Sequence, residues 1–216
     1  MRELTRCRIR LARDSAVAKT KLRALLARKN LDAPYKVPLG RRRLAWFRDQ
    51  DFGPIENLVR HELLERFAHL NRQMSVLDRH MVPLATTFPQ TAALTDIYGI
   101  ALFSALLIVA ELGEVERFRS AKQVGAYAGL TARVEQSGGH CYRGSITRQG
   151  SPWLRWILVQ AAMKSVRKDV AMKNFFTRVR KRSSAKIARV AAAGKLAEIC
   201  WKRLRRWQRE NAQKAA

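Results

Sequence analysis

Apolar residues recur at helical spacing along most of this chain, and the period breaks in a few identifiable places. Over residues 1–30, Leu4, Cys7, Leu11, Ala18 and Leu25 mark one face at about 3.5-residue spacing, interrupted by Asp14 and Lys21. This predicts a basic helix that Asn30 ends. Leu31–Gly40 holds Pro34, Pro38 and Gly40 and reads as a linker, after which Arg41-Arg42-Arg43 opens a short helix. Pro54 stands where a helix start would place it, and a long helix is expected from there to about Val82. Its Leu63, Phe67, Leu70, Met74, Leu77 and Met81 alternate by four and three, as the seam of a coiled coil does. A helix packed against its own domain needs the same stripe, so intramolecular and intermolecular pairing both remain open. Pro83 and Pro89 close this arm.

From about Thr91 the pattern changes to that of a compact domain. Gly99 separates a short helix from an apolar helix, Ile100–Leu112, which Gly113 should end as a left-handed cap. Ser120 caps a further short helix, 121–128, and Gly129 stops it. Residues 131–150 carry Gly138, Gly139, Gly144 and Gly150 between short β-prone pieces, which predicts a hairpin or irregular loop. Ser151-Pro152 is a cap followed by a first-turn proline, starting a helix to about Lys168; two basic helices, about 170–182 and 185–209, follow. The expected fold is mainly α: a long helical, coiled-coil-like arm over 1–89, then a compact helical domain over 90–216 with a small β-hairpin or irregular glycine-rich loop.

Charge sharpens this picture. The 216 residues carry 43 Lys and Arg against 17 Asp and Glu, a net +26, and 47% are hydrophobic. A folded chain this basic attracts polyanions, and nucleic acid is the expected partner because each neutralised phosphate releases counterions. From Arg143 to Ala216 there are 20 Lys and Arg against 3 Asp and Glu, so +17 lies in that segment. In the last helix Leu196, Ile199, Cys200, Leu204 and Trp207 share an apolar face, while Lys195, Lys202, Arg203, Arg205, Arg206 and Arg209 present cations as a phosphate-tracking helix would. The three cysteines, Cys7, Cys141 and Cys200, form no CxxC pair, which argues against a disulfide framework or zinc knuckle and fits a reducing, cytoplasmic setting. The longest apolar run, Gly99–Ala110, falls short of the ~20 residues a bilayer span needs, and the charged N-terminal helix does not read as a signal peptide.

Candidate chemistry is sparse. A two-metal nuclease needs several converging carboxylates; Glu111, Glu114 and Glu116 cluster in sequence but flank a helix end and a turn. His61 and His69 share a helix face without a third ligand, and His140 lies in the glycine-rich loop. No cofactor is therefore expected in this chain. The run Glu135-Gln136-Ser137-Gly138-Gly139-His140 sets a serine before two glycines that could let backbone approach a phosphate. Arg143, Arg148 and Arg155 follow and could clamp a phosphodiester, and a serine beside such a cluster can attack phosphorus. Ser-Gly-Gly is also an ordinary turn, so spacing alone leaves both readings standing.

The stretch Ala110–Leu130, with Ala110-Glu111-Leu112-Gly113, Arg117-Phe118-Arg119-Ser120-Ala121-Lys122-Gln123 and Ala126-Tyr127-Ala128-Gly129-Leu130, resembles the insertion sequence 110 family of transposases. Ser137-Gly138, Gly144-Ser145-Ile146-Thr147-Arg148-Gln149-Gly150 and Leu154-Arg155 are similar to the same family's later motifs, and the likeness is close over about 97–168. Two positions depart from it: Ala101 stands where a glycine is usual, and Ala132 where a proline often follows. The resemblance implies a recombinase that pairs an N-terminal RuvC-like domain, carrying an Asp/Glu tetrad, with a C-terminal domain carrying a nucleophilic serine. Strand exchange would pass through a covalent serine–DNA intermediate in oligomers, dimers or tetramers, on a structured RNA. The family's serine falls on Ser137, with Ser145 the runner-up. No Asp/Glu tetrad is visible here, so Mg2+ is expected only with that other domain, and this chain alone should bind DNA without recombining it. The alternative is a non-catalytic basic nucleic-acid-binding module.

Overall fold

The computed structural model describes residues 1–31, 40–137 and 140–215; most of the expected linker at 31–40, and the Gly138-Gly139 pair of the serine loop, lie outside the described residues. The fold is mainly α with one two-stranded hairpin. Its helices are α1 (Arg2–Arg28), α2 (Arg41–Asp49), α3 (Pro54–Met81), α4 (Leu84–Thr87), α5 (Ala92–Thr95), α6 (Leu102–Leu112), α7 (Ala121–Tyr127), α8 (Pro152–Lys168), α9 (Val170–Arg182) and α10 (Ala185–Ala215). Strands β1 (Ala132–Ser137) and β2 (His140–Ile146) stand between α7 and α8. Contacts divide the chain into two units, Arg6–His80 and Met1–Thr5 with Met81–Ala216.

In the first unit α1 and α3 run antiparallel. Three pairs fix the register: Arg8 with Asp78 at 3.0 Å, the Lys19 ammonium 5.3 Å over the Phe67 ring, and Lys29 with Glu56 at 3.4 Å. Ala18, Leu22, Leu25 and Leu26 of α1 meet Leu64 and Phe67 of α3 together with Phe47 and Phe52. Phe67, part of the a/d stripe, thus packs against helices of its own chain. The α1 stripe needs correction. Ile9 and Ala18 are both buried, yet nine residues, or about 2.5 turns, put them on opposite sides of the helix. One stripe through Leu4, Cys7, Leu11, Ala18 and Leu25 therefore misses Ile9 and Leu22 and includes Cys7, which is exposed. Asn30 ends α1 as predicted, at φ +51°: its N–H donates to Ala27 and that of Leu31 to Leu26, both at 3.1 Å. That is a Schellman closure with asparagine in the left-handed position.

In the second unit α10 packs on α7, α8 and α9, and α6 on α8. Ala188, Ala192, Ala193 and Ala197 bring α10 close to its neighbours, and Leu196, Cys200, Trp201 and Leu204 fill the interior. The Cys200 thiol is pushed up to about 12 by burial, so it stays protonated and inert. Helix α6 is buried from Ser104 to Leu112, which makes the fate of its last four carbonyls a complete accounting question. The Val109 carbonyl accepts from Gly113 N–H at 3.0 Å, and that of Ala110 from Arg2 Nε and Nη2 at 3.0 and 2.8 Å. The Glu111 carbonyl accepts from the Tyr127 hydroxyl at 3.3 Å, and that of Leu112 from Arg117 Nη2 at 2.8 Å. Two details differ from expectation. Helix α6 starts at Leu102, because Ile97–Ile100 closes a turn through Gly99 at φ +91°. Gly113 has φ +64° but ψ −138°, so it leaves the helix without entering the left-handed well.

Arg117 also lies 4.6 Å from the Phe118 ring and 4.4 Å from that of Tyr127. It thereby joins the α6 terminus to α7. Arg117→Ala removes one charged hydrogen bond and two cation–π contacts, and should cost about 1–2 kcal/mol. Denaturant melts would show this as a lower midpoint; Arg117→Lys, without the planar fork, should recover only part.

Candidate nucleic-acid interface and serine hairpin

The hairpin is anchored at its base and projects from there. Antiparallel pairing runs Ser137↔His140, Gln136↔Cys141, Glu135↔Tyr142 and Val134↔Arg143, then shifts to Ala132↔Ile146. The shift puts one extra residue on β2, so Gly144 and Ser145 form a bulge opposite Arg133. Ser145 is exposed there. Below it, Thr147 N–H donates to Thr131 at 2.9 Å and Arg148 N–H to Gly129 at 3.3 Å.

The base is a backbone-on-backbone contact that glycine permits. Gly129 and Gly150 have φ +66° and +86°. A β-carbon on Gly129 would lie 2.2 Å from the Gln149 carbonyl oxygen, and one on Gly150 1.9 Å from that of Tyr127. Helix α8 then starts where predicted, with Ser151 Oγ accepting from Leu154 N–H at 3.2 Å and Pro152 in the first turn.

Ser137 ends β1, at the hairpin's far end; its side chain and that of Arg143 lie outside the described part of the structure. Arg148 and Arg155 sit at the base. Five residues of extended chain separate Ser137 from Ala132, about 16 Å at ~3.3 Å per residue. The backbone therefore does not bring Ser137 together with Arg148 and Arg155. Arg155 is half-buried and its Nη1 donates to the Ala128 carbonyl at 3.1 Å, tying α8 to the base. Arg148 is exposed and has φ +56°, one of two described non-glycine residues with positive φ. That conformation costs a non-glycine residue about 1 kcal/mol or more. Arg148→Gly should raise stability by about 1 kcal/mol in thermal melts while weakening nucleic-acid binding; a loss of stability would show that the guanidinium serves the fold.

On α10, Lys195, Lys202, Arg203 and Arg206 are all exposed. Lys195 meets Glu198 at 3.5 Å and Arg206 meets Glu210 at 2.6 Å; the hydrogen bond to Glu210 raises the Arg206 pKa further. Lys202 and Arg203 have no carboxylate partner among the described residues. Glu111 is buried while Glu114 and Glu116 are exposed, and among the described residues no three His, Cys, Asp or Glu side chains group to hold a metal ion. No helix among the described residues is long and apolar enough to cross a membrane. Sequence reading missed the structural work of Arg117 and Gly99. A β-carbon on Gly99 would lie 2.4 Å from the Ala161 carbonyl oxygen, so this glycine lets α8 approach.

Residues 91–177 match the model of a family described as "Transposase IS116/IS110/IS902 family". The chain is 29% identical over 157 residues to the "Probable family 20 transposase" of Pseudomonas aeruginosa, covering 71% of this chain and 46% of that protein. It is 23% identical over 205 residues to the "Transposase for insertion sequence element IS1328" of Yersinia enterocolitica, covering 93% and 61%. With the "Transposase for insertion sequence element IS1111A" of Coxiella burnetii it shares 27% identity over 143 residues, covering 63% and 39%. The chain spans roughly half the length of these curated relatives.

Proposed function

We propose, from the match of residues 91–177 to the model of the transposase IS116/IS110/IS902 family, that this chain is the DNA-handling portion of an insertion-sequence transposase. The observation that carries the proposal is that the matched segment contains the whole serine hairpin and its glycine-gated base. In this reading Ser137 is the nucleophile. Its Oγ bonds to phosphorus as one P–O bond to a sugar breaks; the serine proton is given up and the leaving sugar oxygen takes one. Arg143, standing opposite Val134 on β2, is the arginine of the trio nearest Ser137 along the hairpin, and we assign it the phosphate. Arg148, Lys202 and Arg203 hold flanking backbone. Structured RNA and a second copy of the chain complete the assembly, and any Mg2+ is held by carboxylates other than the described ones.

Trapping tests this. The chain, supplied with the part of its longer relatives that the match does not cover, plus RNA and donor and target DNA, should give a protein–DNA adduct that survives denaturing electrophoresis. Persistent absence of an adduct in an assembly that binds DNA overturns it. A second reading, a non-catalytic binding module, is favoured by one observation: the ~16 Å that strand length puts between Ser137 and the base arginines. That module would bind in the same assay and never form the adduct.

A further inference from the structure

Helix α9 is the most one-sided surface in the second unit. Met172 is buried, and Phe175, Phe176 and Val179 are half-buried beside it. At 100° per residue these four share one face. The opposite face carries Asn174, Thr177, Arg178, Lys181 and Arg182, all exposed, lining an open cleft of about 360 Å³. From Val170 to Ala197 the sequence contains no Asp or Glu. The α10 cations Lys195 and Arg206 each have a carboxylate within 4 Å, whereas Arg178, Lys181 and Arg182 have none among the described residues. The Arg178 guanidinium lies 5.7 Å from the Phe175 ring centroid, a contact that steadies the fork while its N–H groups stay in solvent.

We propose that this α9 face binds the phosphate backbone of duplex DNA without reading its sequence. The proposal rests on the reading of the chain as a DNA-handling protein. Asn174 to Arg182 spans about 12 Å at 1.5 Å per residue, the axial length of roughly three to four phosphates on one strand. Asn174 and Thr177 add neutral donors suited to phosphate oxygens. The face offers no exposed aromatic ring on which unpaired bases could stack, which favours a duplex over a single strand.

The test measures binding of a labelled, arbitrary-sequence DNA duplex by the chain across a salt series. Arg178→Ala/Lys181→Ala/Arg182→Ala should weaken binding at least tenfold at low salt. It should also flatten the slope of log K against log salt by about 2–3, three contacts at ~0.9 each. Arg66→Ala/Arg72→Ala/Arg79→Ala removes the same charge from exposed positions of α3 and should change the slope much less. Circular dichroism melts of both variants verify that each is folded. An unchanged slope in the α9 variant, or equal losses in the two variants, overturns the proposal. So does single-stranded DNA, or duplex RNA, competing better than duplex DNA. If the unaltered chain shows no salt-dependent binding at all, the reading of the chain as DNA-handling fails instead.

Discussion

Ser137→Ala is expected to abolish covalent protein–DNA adducts in the completed assembly while leaving DNA binding nearly unchanged. Only a hydroxyl is lost, at the end of a strand whose pairing with His140 is between backbone groups. Register therefore survives, and so do the cations that carry electrostatic affinity. An interaction needed only for the chemical step lowers the rate without lowering affinity. Ser145 is the internal control. It sits in the bulge at Gly144-Ser145, which begins four residues along β2 from the His140 that pairs with Ser137, with Ser145 itself five residues along. At ~3.3 Å per residue that is about 13–16 Å, so one phosphorus atom cannot serve both hydroxyls without the strand moving. Ser145→Ala should keep its adducts. The reverse pattern, adducts surviving in Ser137→Ala and lost in Ser145→Ala, would move the nucleophile to the bulge. Adducts surviving in both would remove serine chemistry from this hairpin. A binding loss in Ser137→Ala as large as the adduct loss would make the serine a docking contact.

The elements that were legible in the sequence are those whose cause is local. Pro54 and Ser151-Pro152 set helix starts, Asn30 sets a helix end, and four glycines among short β-prone pieces mark the hairpin. What sequence could not show depends on partners far along the chain. A single stripe does not describe α1, because that helix buries opposite sides at Ile9 and Ala18 and one period captures only one side. The Ala110–Leu130 stretch first suggested family chemistry, yet several of its residues hold the fold together. Arg117 and Tyr127 donate to α6 carbonyls, Phe118 meets Tyr127 edge to face with ring centroids 5.3 Å apart, and Gly129 admits the Gln149 carbonyl. Residue type cannot separate an arginine that meets a carbonyl from one that meets a phosphate. That is why Arg155 and Arg148 looked equivalent in sequence, although one is bonded to Ala128 and the other stands exposed in a left-handed conformation. The sequence marks 170–182 as a basic helix, but which of its cations stay exposed on the face away from Met172 and Phe176 depends on how α9 packs, a property of three-dimensional neighbours.

Gly150→Ala is expected to destabilise the second unit by about 3 kcal/mol or more, enough to displace the hairpin base. Two costs add. At φ +86° an L residue is strained, worth about 1 kcal/mol. The added β-carbon would also lie 1.9 Å from the Tyr127 carbonyl oxygen and 3.0 Å from its carbon, both backbone atoms at the end of α7 that cannot swing aside as a side chain would. Relief requires the loop at 147–151 to separate from α7. That would break the Arg148–Gly129 and Thr147–Thr131 hydrogen bonds. Two other glycines separate the contributions. Gly113→Ala meets nothing within 4 Å at φ +64°, so it should show backbone strain alone, about 1–3 kcal/mol. Gly125, inside α7 with ordinary helical φ and open space around its β-carbon position, should become more stable by about 0.5–1 kcal/mol as alanine. Denaturant midpoints of the three variants should therefore fall in the order Gly125→Ala, Gly113→Ala, Gly150→Ala, from highest to lowest. A Gly150→Ala midpoint no lower than that of Gly113→Ala would mean that the loop yields at no cost, and the hairpin would then lack the rigid base from which Ser137 is presented.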